Sequence, residues 1–139
     1  MQTEGIAKPL PEPTALSQKY WEGLSQGRLL LQKCGGCGKV RHYPRLLCDT
    51  CHSLEVDWIA ASGRGAVHSW TVAHHAFHPA FKADLPYTLL IVDLEEGVRA
   101  MGRYTAGTNP PPKIGLPVRF LAQPAVNGFS LPSFTPIQT

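Results

Sequence analysis

The pattern of hydrophobic and polar positions changes once along the chain, from a helical period near the amino terminus to strand-like alternation afterwards. Leu16, Tyr20 and Leu24 recur every four residues, which predicts one short amphipathic helix over residues 15–26. Gly27 is placed to end this helix. Because a helix of about three turns is marginal in isolation, we expect it to pack on the domain behind it or on a partner protein.

After the helix, the alternation has the period of β-strands. Leu54, Val56 and Trp58 alternate with acidic residues, which predicts a strand with one buried face. A longer run over residues 66–77 places five residues in one file, namely Ala66, His68, Trp70, Val72 and His74. Further strands are predicted over residues 87–94, 98–105, 116–122 and 129–134.

Turn signals separate these predicted strands. Glu95-Glu96-Gly97 is a hairpin turn whose acidic side chains we interpret as solvated, and Asn127-Gly128 is a strong hairpin signal. Five strands in about seventy residues suit a small Greek-key barrel of the OB type, although strand number alone does not separate it from an SH3-like barrel. The predicted fold class is therefore mainly β, with an N-terminal helix and a five-stranded barrel.

Composition agrees with a small β-rich globular protein. Apolar residues make up 43% of the 139 residues and charged residues 17%, and thirteen glycines with thirteen prolines favour short strands and turns. The longest apolar run, residues 89–92, is far too short to cross a bilayer, and the first residues do not resemble a signal peptide. We therefore expect no membrane association and a cytoplasmic location, where thiols stay reduced.

All four cysteines fall in two Cys-x-x-Cys pairs, Cys34 with Cys37 and Cys48 with Cys51. This spacing predicts one zinc ion held by four thiolates at tetrahedral corners. Two disulfides or free buried thiols are the alternatives, and no secretory context supports the disulfides. With four protein ligands the ion has no open position, so we expect structural zinc rather than catalytic zinc.

Glycines surround only the first cysteine pair. Gly35, Gly36 and Gly38 suit a tight turn because glycine readily adopts a positive φ. The second pair has no glycine, so Asp49 and Thr50 must form its turn.

The cysteine pairs divide the chain into three parts. Residues 1–27 form an arm and the helix, residues 28–61 a zinc ribbon, and residues 62–139 the OB-fold domain. Three alternating prolines predict that the first thirteen residues are an extended arm, mobile unless it lies on a partner.

The net charge of +3 is unevenly distributed. No acidic residue lies between Glu22 and Asp49, whereas five of the thirteen basic residues do: Arg28, Lys33, Lys39, Arg41 and Arg45. These residues either compensate for the two negative charges of a zinc tetrathiolate or form a phosphate-binding face for a nucleotide-bearing cofactor or nucleic acid. Charge alone does not choose between these interpretations.

Three histidines, His74, His75 and His78, cluster ahead of Asp84. In a strand His74 and His75 would point to opposite faces, so they could not share a metal ion without a bend. We favour an exposed loop, or one that contacts a partner or substrate, over a second metal site or a general base. The sequence leaves the role of the three histidines open.

The order of helix, ribbon, Ser-Gly-x-Gly linker and barrel resembles a known family. The residues that carry the resemblance are Leu29–Cys37 with Gly38, Pro44-Arg45 ahead of the second cysteine pair, Trp58, Ser62-Gly63-x-Gly65, Pro86-Tyr87, the acidic turn with Gly97, Ile114-Gly115-Leu116-Pro117-Val118 and Phe134-x-Pro136. Over residues 14–137 the chain is similar to acyl-CoA-associated proteins that join a rubredoxin-like zinc ribbon to an OB-fold domain, long catalogued as a domain of unknown function. Where this chain has Gly115-Leu116-Pro117-Val118, the family often has Gly-Met-x-Val.

The resemblance implies a small non-catalytic subunit. Such a subunit docks on a thiolase, a thiolase-like aldolase, an enoyl-CoA hydratase or an acyl-CoA synthase and helps to hold or pass a CoA thioester. The five ribbon cations would then hold the phosphates of CoA. Trp58, Trp70 and Phe77 would line a groove for the pantetheine arm or stack on adenine, although for each of them we favour the barrel core. A homodimer and a hetero-oligomer both fit this interpretation.

Two other functions compete with this one. OB folds also bind single-stranded nucleic acid through aromatic stacking in a basic groove. From Ala66 onward, however, the chain has only five basic residues, and four acidic residues offset most of that charge. An independent enzyme is the weakest hypothesis, because the cysteines are used by zinc and no open metal position is expected.

Overall fold

The computed structural model describes residues 8–106, 109–124 and 129–137. Within these ranges it contains one α-helix and eight β-strands: α1 (Gln18–Ser25), β1 (Leu30–Cys34), β2 (Val40–Arg41), β3 (Val56–Ala60), β4 (Arg64–Ala73), β5 (Tyr87–Leu94), β6 (Arg99–Tyr104), β7 (Pro117–Pro124) and β8 (Ser130–Pro136). A short 3-10 helix, Pro79–Asp84, lies between β4 and β5. The predicted hairpin turn at Asn127-Gly128 lies outside the described residues.

The predicted helix is present but shorter than residues 15–26. Tyr20 and Leu24 form its buried face, whereas Leu16 lies in a preceding turn and is exposed. Gly27 ends the helix as predicted, with a φ of 78° that favours glycine. No helix in the described part of the chain is long and apolar enough to span a membrane.

The extended arm is anchored at the first residue that the structure describes. The ammonium group of Lys8 lies 2.7 Å from a carboxylate oxygen of Asp84 and 5.5 Å from the centre of the Phe81 ring. The arm therefore contacts the barrel domain of the same chain at this point. The sequence did not distinguish this from contact with a partner protein.

The zinc-ribbon region folds as a three-stranded antiparallel sheet in the order β2-β1-β3. The return strand β2 is only two residues long and ends before Pro44, which has no N–H to donate to a neighbouring strand. β3 begins at Val56, so Leu54 lies outside the sheet and is 65% exposed. The prediction that Leu54 belongs to a buried file is therefore wrong.

The second half of the chain closes into a five-stranded barrel in the order β4-β5-β6-β8-β7. β6 and β8 pair in parallel, and every other neighbouring pair is antiparallel. This confirms a mainly β chain with a five-stranded OB-like barrel, and β5 spans the predicted residues.

A β-bulge in β4 breaks the single file predicted over residues 66–74. The pairing with β5 shifts between Val67 and Ser69, so His68 is an extra residue on the bulged strand. Val67 is consequently buried, whereas His68 is exposed. Beyond the bulge, Trp70 lies opposite a fully buried leucine of β5, yet its own side chain is 39% exposed.

Helix, ribbon and barrel share one hydrophobic core. Its buried members come from all three parts and include Tyr20 and Leu24 from the helix, Leu29 and Leu31 from the ribbon, and Val67, Leu90, Val92, Val118 and Phe134 from the barrel. The predicted divisions, residues 1–27, 28–61 and 62–139, fall between α1 and β1 and between β3 and β4. The helix, the ribbon and the barrel therefore differ in architecture but contribute side chains to the same core.

The acidic turn between β5 and β6 is hydrogen-bonded to Ser62, in the linker that joins the ribbon to the barrel. The Ser62 hydroxyl donates to a Glu95 carboxylate oxygen at 2.6 Å, and the Ser62 N–H donates to Glu96 at 2.8 Å. Glu95 is exposed as predicted for a solvated turn, whereas Glu96 is partly buried, and both carboxylates also hold the linker. Sequence alternation cannot show that a linker 33 residues away crosses this turn.

Candidate functional site

The four cysteines meet at one point, although they come from two separate turns. Their sulfur atoms all lie within 4.8 Å of one another, with Cys34 and Cys51 3.4 Å apart and Cys37 and Cys48 3.7 Å apart. A tetrahedral zinc ion with Zn–S bonds of about 2.3 Å requires sulfur–sulfur separations of about 3.8 Å. All four thiols are free, and their separations are too long for a disulfide. The donor set therefore fits structural zinc.

Both cysteine turns have the same hydrogen-bond pattern. The Gly38 N–H donates to the Cys34 carbonyl and the His52 N–H donates to the Cys48 carbonyl, each at 3.0 Å. These two residues follow the second cysteine of each pair, and both have a positive φ, 80° for Gly38 and 63° for His52. His52 therefore takes in the second turn the left-handed position that glycine takes in the first, a role that the sequence analysis missed.

The two other glycines of the first turn do not adopt a positive φ. A Cβ on Gly35 would lie 2.8 Å from the Cβ of Glu55, and one on Gly36 would lie 3.2 Å from the Cys51 sulfur. Crowding rather than backbone conformation therefore explains these two glycines, and our assignment of a positive φ to them is wrong. The same turns present backbone N–H groups to sulfur: Cys37 and Gly36 donate to Cys34, which lowers the pKa of the Cys34 thiol to about 6.

Two of the ribbon cations contact the second cysteine turn. The Lys39 ammonium lies 2.8 Å from a carboxylate oxygen of Asp49, and the Arg45 guanidinium lies 3.8 Å from its other oxygen. The hydrogen bond to Asp49 raises the pKa of Lys39, and the thiolates of Cys48 and Cys37 raise it further. This arrangement supports charge compensation at the metal centre for Lys39, whereas the ion pair of Arg45 is with Asp49.

Arg41 is buried rather than presented to solvent, with 4% of its surface exposed. Its Nε donates to the Gln32 side-chain oxygen at 2.7 Å, and its guanidinium also donates to the Arg45 carbonyl at 3.0 Å. The same Gln32 oxygen accepts from the Arg45 N–H. Arg41 therefore fixes the chain between the two cysteine turns, and we leave it out of any phosphate-binding set.

The remaining two ribbon cations lie apart from this group. Lys33 is exposed on β1, and Arg28 lines a cleft at the junction of ribbon and barrel. The five basic residues that are close in sequence therefore do not form one surface. Lys39 and Arg45 lie at the second cysteine turn, Arg41 is buried, and Lys33 and Arg28 lie on separate surfaces.

The three candidate aromatic residues lie in different environments. Trp58 is half-buried against the shared core. Trp70 is 39% exposed and lines a groove of about 470 Å³, and Phe77 is 95% exposed in the loop after β4. The structure therefore does not bring the three together. Our preferred assignment to the barrel core is wrong for Trp70 and Phe77, which are exposed, whereas Trp58 packs against the core.

The groove around Trp70 lies where the ends of β4 and β6 meet the start of β5. Its lining includes Tyr87, Arg103 and Tyr104, which the sequence analysis did not select as site residues. The Arg103 guanidinium lies 4.5 Å from the centre of the Tyr87 ring and 3.5 Å from Asp84. This is a mainly apolar cavity with one cation at its edge, an arrangement common in small-molecule sites.

The three histidines do not form a metal site. His78 is the N-terminal cap of the 3-10 helix, because its Nδ1 accepts from the Ala80 N–H at 3.1 Å. His74 and His75 are exposed, and the His75 ring packs against Phe77 with 4.6 Å between ring centres. Among the described residues, the cysteines form the only cluster of three or more metal-binding side chains.

Two family models match consecutive parts of the chain. The rubredoxin-like zinc ribbon domain of ChsH2 matches residues 21–57, and the C-terminal OB-fold domain of ChsH2 matches residues 58–123. The border between them lies at the start of β3, inside the ribbon sheet.

Curated relatives match over much of the chain but are longer. A probable enoyl-CoA hydratase alpha subunit of Thermomonospora curvata is 36% identical over 138 residues, which are 97% of this chain and 43% of that protein. A DUF35 domain-containing scaffold protein of Methanocaldococcus jannaschii is 36% identical over 87 residues, 61% of each chain. The chain thus spans less than two thirds of the length of these two relatives.

Solved structures contain the same architecture. A chain of a structure described as "Ltp2-ChsH2(DUF35) aldolase" superimposes with a TM-score of 0.83 at 35% identity. The superposition covers 91% of this chain and 98% of that chain.

Proposed function

Because the chain belongs to the family that joins the ChsH2 zinc ribbon to the ChsH2 OB fold, we propose that it is a non-catalytic subunit of an acyl-CoA-processing complex. In this role it binds a CoA thioester and docks on a thiolase-like, aldolase or hydratase enzyme that carries out the reaction. The single observation that supports this most strongly is the match over nearly all of a ChsH2 chain whose structure is described together with an aldolase.

The relatives' names support an acyl-CoA substrate and a scaffolding role. One relative is named as the alpha subunit of a probable enoyl-CoA hydratase, and another as a scaffold protein. The zinc centre fits this role, since its four thiolates leave no position for a reacting group. Zinc would stabilise the ribbon, and the chemistry would belong to the partner.

We propose that the partner docks on the ribbon. Leu46 and Leu54 lie on either side of the second cysteine turn and are 70% and 65% exposed. Tyr43 and Leu47 in the same segment are also exposed. These four exposed apolar side chains lie within twelve residues of the chain, and exposed apolar groups are typical of a protein interface, so we place the enzyme partner here.

The groove lined by Trp70 and Tyr104 suits the apolar part of the thioester ligand. Its volume is about 470 Å³, and its lining is mainly aromatic and proline side chains. A pantetheine arm requires a hydrophobic channel with few polar groups, which this lining supplies.

Reconstitution with an enzyme tests the proposal. We expect the chain to form a stable complex with a thiolase-like or aldolase protein encoded beside it, and to show no turnover of acyl-CoA alone. Leu46→Asp and Leu54→Asp should abolish the complex, because each places a charge in an apolar interface. Ile114→Asp is the matched control, since Ile114 is 78% exposed on the barrel side of the chain.

Two results would contradict the proposal. Turnover of acyl-CoA by the zinc-loaded chain alone would show an enzyme. A complex that survives both Leu46→Asp and Leu54→Asp would move the interface away from the ribbon.

A further inference from the structure

A second cavity, of about 340 Å³, lies at the junction of ribbon and barrel. Three arginines line it from three parts of the chain: Arg28 from the segment between α1 and β1, Arg64 from the start of β4, and Arg119 from β7. The sequence analysis selected Arg28 but neither of the others. Ninety-one residues separate Arg28 from Arg119, so only the barrel closure brings them to one cleft.

The three arginines have no acidic partner among the described residues. None of them takes part in an ion pair there, and the side-chain hydrogen bond of Arg28 is to the neutral Gln26 amide. Glu95 and Glu96 accept hydrogen bonds from Ser62, which lines the cleft, so two carboxylates lie near the three guanidinium groups. The cleft therefore has a local excess of positive charge.

Two of these arginines lie directly opposite each other. Arg64 and Arg119 are register partners in the antiparallel pairing of β4 with β7. Like charges in this position destabilise a sheet, because their Cβ atoms are only about 5 Å apart. An anion bound between them would remove this repulsion.

The walls of the cleft are fixed by backbone hydrogen bonds. The Phe120 N–H donates to the Gly63 carbonyl at 2.6 Å, and the Ala61 N–H donates to the Leu29 carbonyl at 2.8 Å. Gly63 has a φ of 84°, and a Cβ there would lie 3.3 Å from the Cβ of Phe120. The arginines are thus attached to a rigid frame, which reduces the entropy lost when a ligand binds.

We propose that Arg28, Arg64 and Arg119 form a subsite for phosphate groups, and that the ligand is the phosphorylated adenosine end of CoA. The identity of the ligand rests on the proposed function, whereas the phosphate chemistry rests on the cleft itself. Guanidinium groups bind phosphate oxygens in pairs, so three of them match a ligand that has a pyrophosphate and a separate phosphate monoester.

This subsite places the two ends of the ligand at opposite ends of β4. Arg64 precedes Trp70 by six residues, and because His68 is an extra bulged residue, this corresponds to about 17 Å of strand. The phosphates would then lie at the ribbon junction, and the pantetheine arm would extend along the barrel toward the Trp70 groove.

Calorimetric titration of the zinc-loaded chain tests the subsite. The probes are CoA, pantetheine and inorganic pyrophosphate, and the variants are Arg64→Gln and Arg119→Gln. Arg99→Gln is the control, because Arg99 is an exposed barrel arginine that is already paired with Asp93. We expect each cleft variant to weaken CoA and pyrophosphate binding at least about tenfold, and the control to leave both unchanged. Pantetheine binding should be unaffected in all three variants.

Thermal unfolding separates loss of the ligand site from loss of folding. Without ligand, Arg119→Gln should melt at the same temperature as the parent or higher, since it removes the cross-strand repulsion. CoA binding that is equally strong in both cleft variants would overturn the subsite and leave the proposed function intact. Arginine-dependent binding of pyrophosphate without binding of CoA would support the subsite and refute CoA as the ligand. If neither probe binds, both proposals fail.

Discussion

Removing zinc should destabilise the barrel as well as the ribbon, although no barrel residue is a metal ligand. The perturbation is Cys48→Ser, which replaces a fully buried thiolate by a much weaker zinc ligand. Structural zinc contributes about 10–16 kcal/mol in small zinc domains, so we expect the ribbon sheet and the helix packed on it to unfold together.

The size of the effect on the barrel follows from the shared core. Three of its buried leucines, Leu24, Leu29 and Leu31, belong to the helix and ribbon. Burial of a leucine contributes about 1.5–3 kcal/mol, so the three together supply about 5–9 kcal/mol. A chain of 139 residues has a total free energy of unfolding of about 7–21 kcal/mol. Loss of helix and ribbon therefore removes a large part of the stability of the barrel.

Hydrogen exchange in β5 measures this coupling. We expect the amides of Leu90 and Val92, in the centre of the barrel, to lose protection in Cys48→Ser and in the parent chain treated with a chelator. Addition of zinc should restore protection in the parent chain only. His52→Asn is the control, because asparagine tolerates the left-handed backbone and no ligand is removed. Full protection of β5 in a chain that has lost its zinc would show that ribbon and barrel fold independently, and would refute the reasoning.

Three further predictions concern other parts of the chain. Burial lowers the pKa of His42 to about 4, so the folded state excludes a proton that the unfolded state takes up below about pH 6.5. Stability is therefore lost as the pH falls through this range. His42→Phe should reduce the loss in unfolding free energy between pH 7 and pH 5 by about 2 kcal/mol in urea titrations, and parallel pH profiles for the two proteins would contradict this. Gly102→Ala should destabilise the barrel by about 1–3 kcal/mol, because its Cβ would lie 2.7 Å from the buried Phe134 ring; an unchanged melting temperature would show that the ring can move. Single-stranded DNA should produce no saturable fluorescence change at low salt, and a change that weakens as salt is added would favour nucleic-acid binding.

Local patterns in the sequence predict much of the architecture. Two Cys-x-x-Cys pairs indicate the zinc centre, and an apolar run with β-branched residues gives the residues of β5 correctly. The bulge at His68 escapes such a pattern, because one inserted residue changes which side chains face inward without changing composition. The left-handed turn at His52 is missed for a related reason, since glycine is the residue that normally indicates this conformation.

The candidate site is harder to predict from sequence than the fold, because residues that are close in sequence need not lie on the same surface. The ribbon cations are neighbours in sequence, yet Arg41 points into the ribbon and Lys39 pairs with Asp49. Arg119 joins Arg28 only through the register of β7 with β4. Long-range strand pairing therefore determines which charges share a cleft, and alternation within a single strand contains no information about it.

Titration of acetyl-CoA into the zinc-loaded chain, with recovery of the thioester afterwards, tests most directly whether this protein holds an acyl-CoA without transforming it. We predict saturable binding in the micromolar range, with one ligand per chain and the thioester recovered intact. No heat of binding at millimolar acetyl-CoA, or consumption of the thioester by the chain alone, would contradict a non-catalytic acyl-CoA-binding subunit.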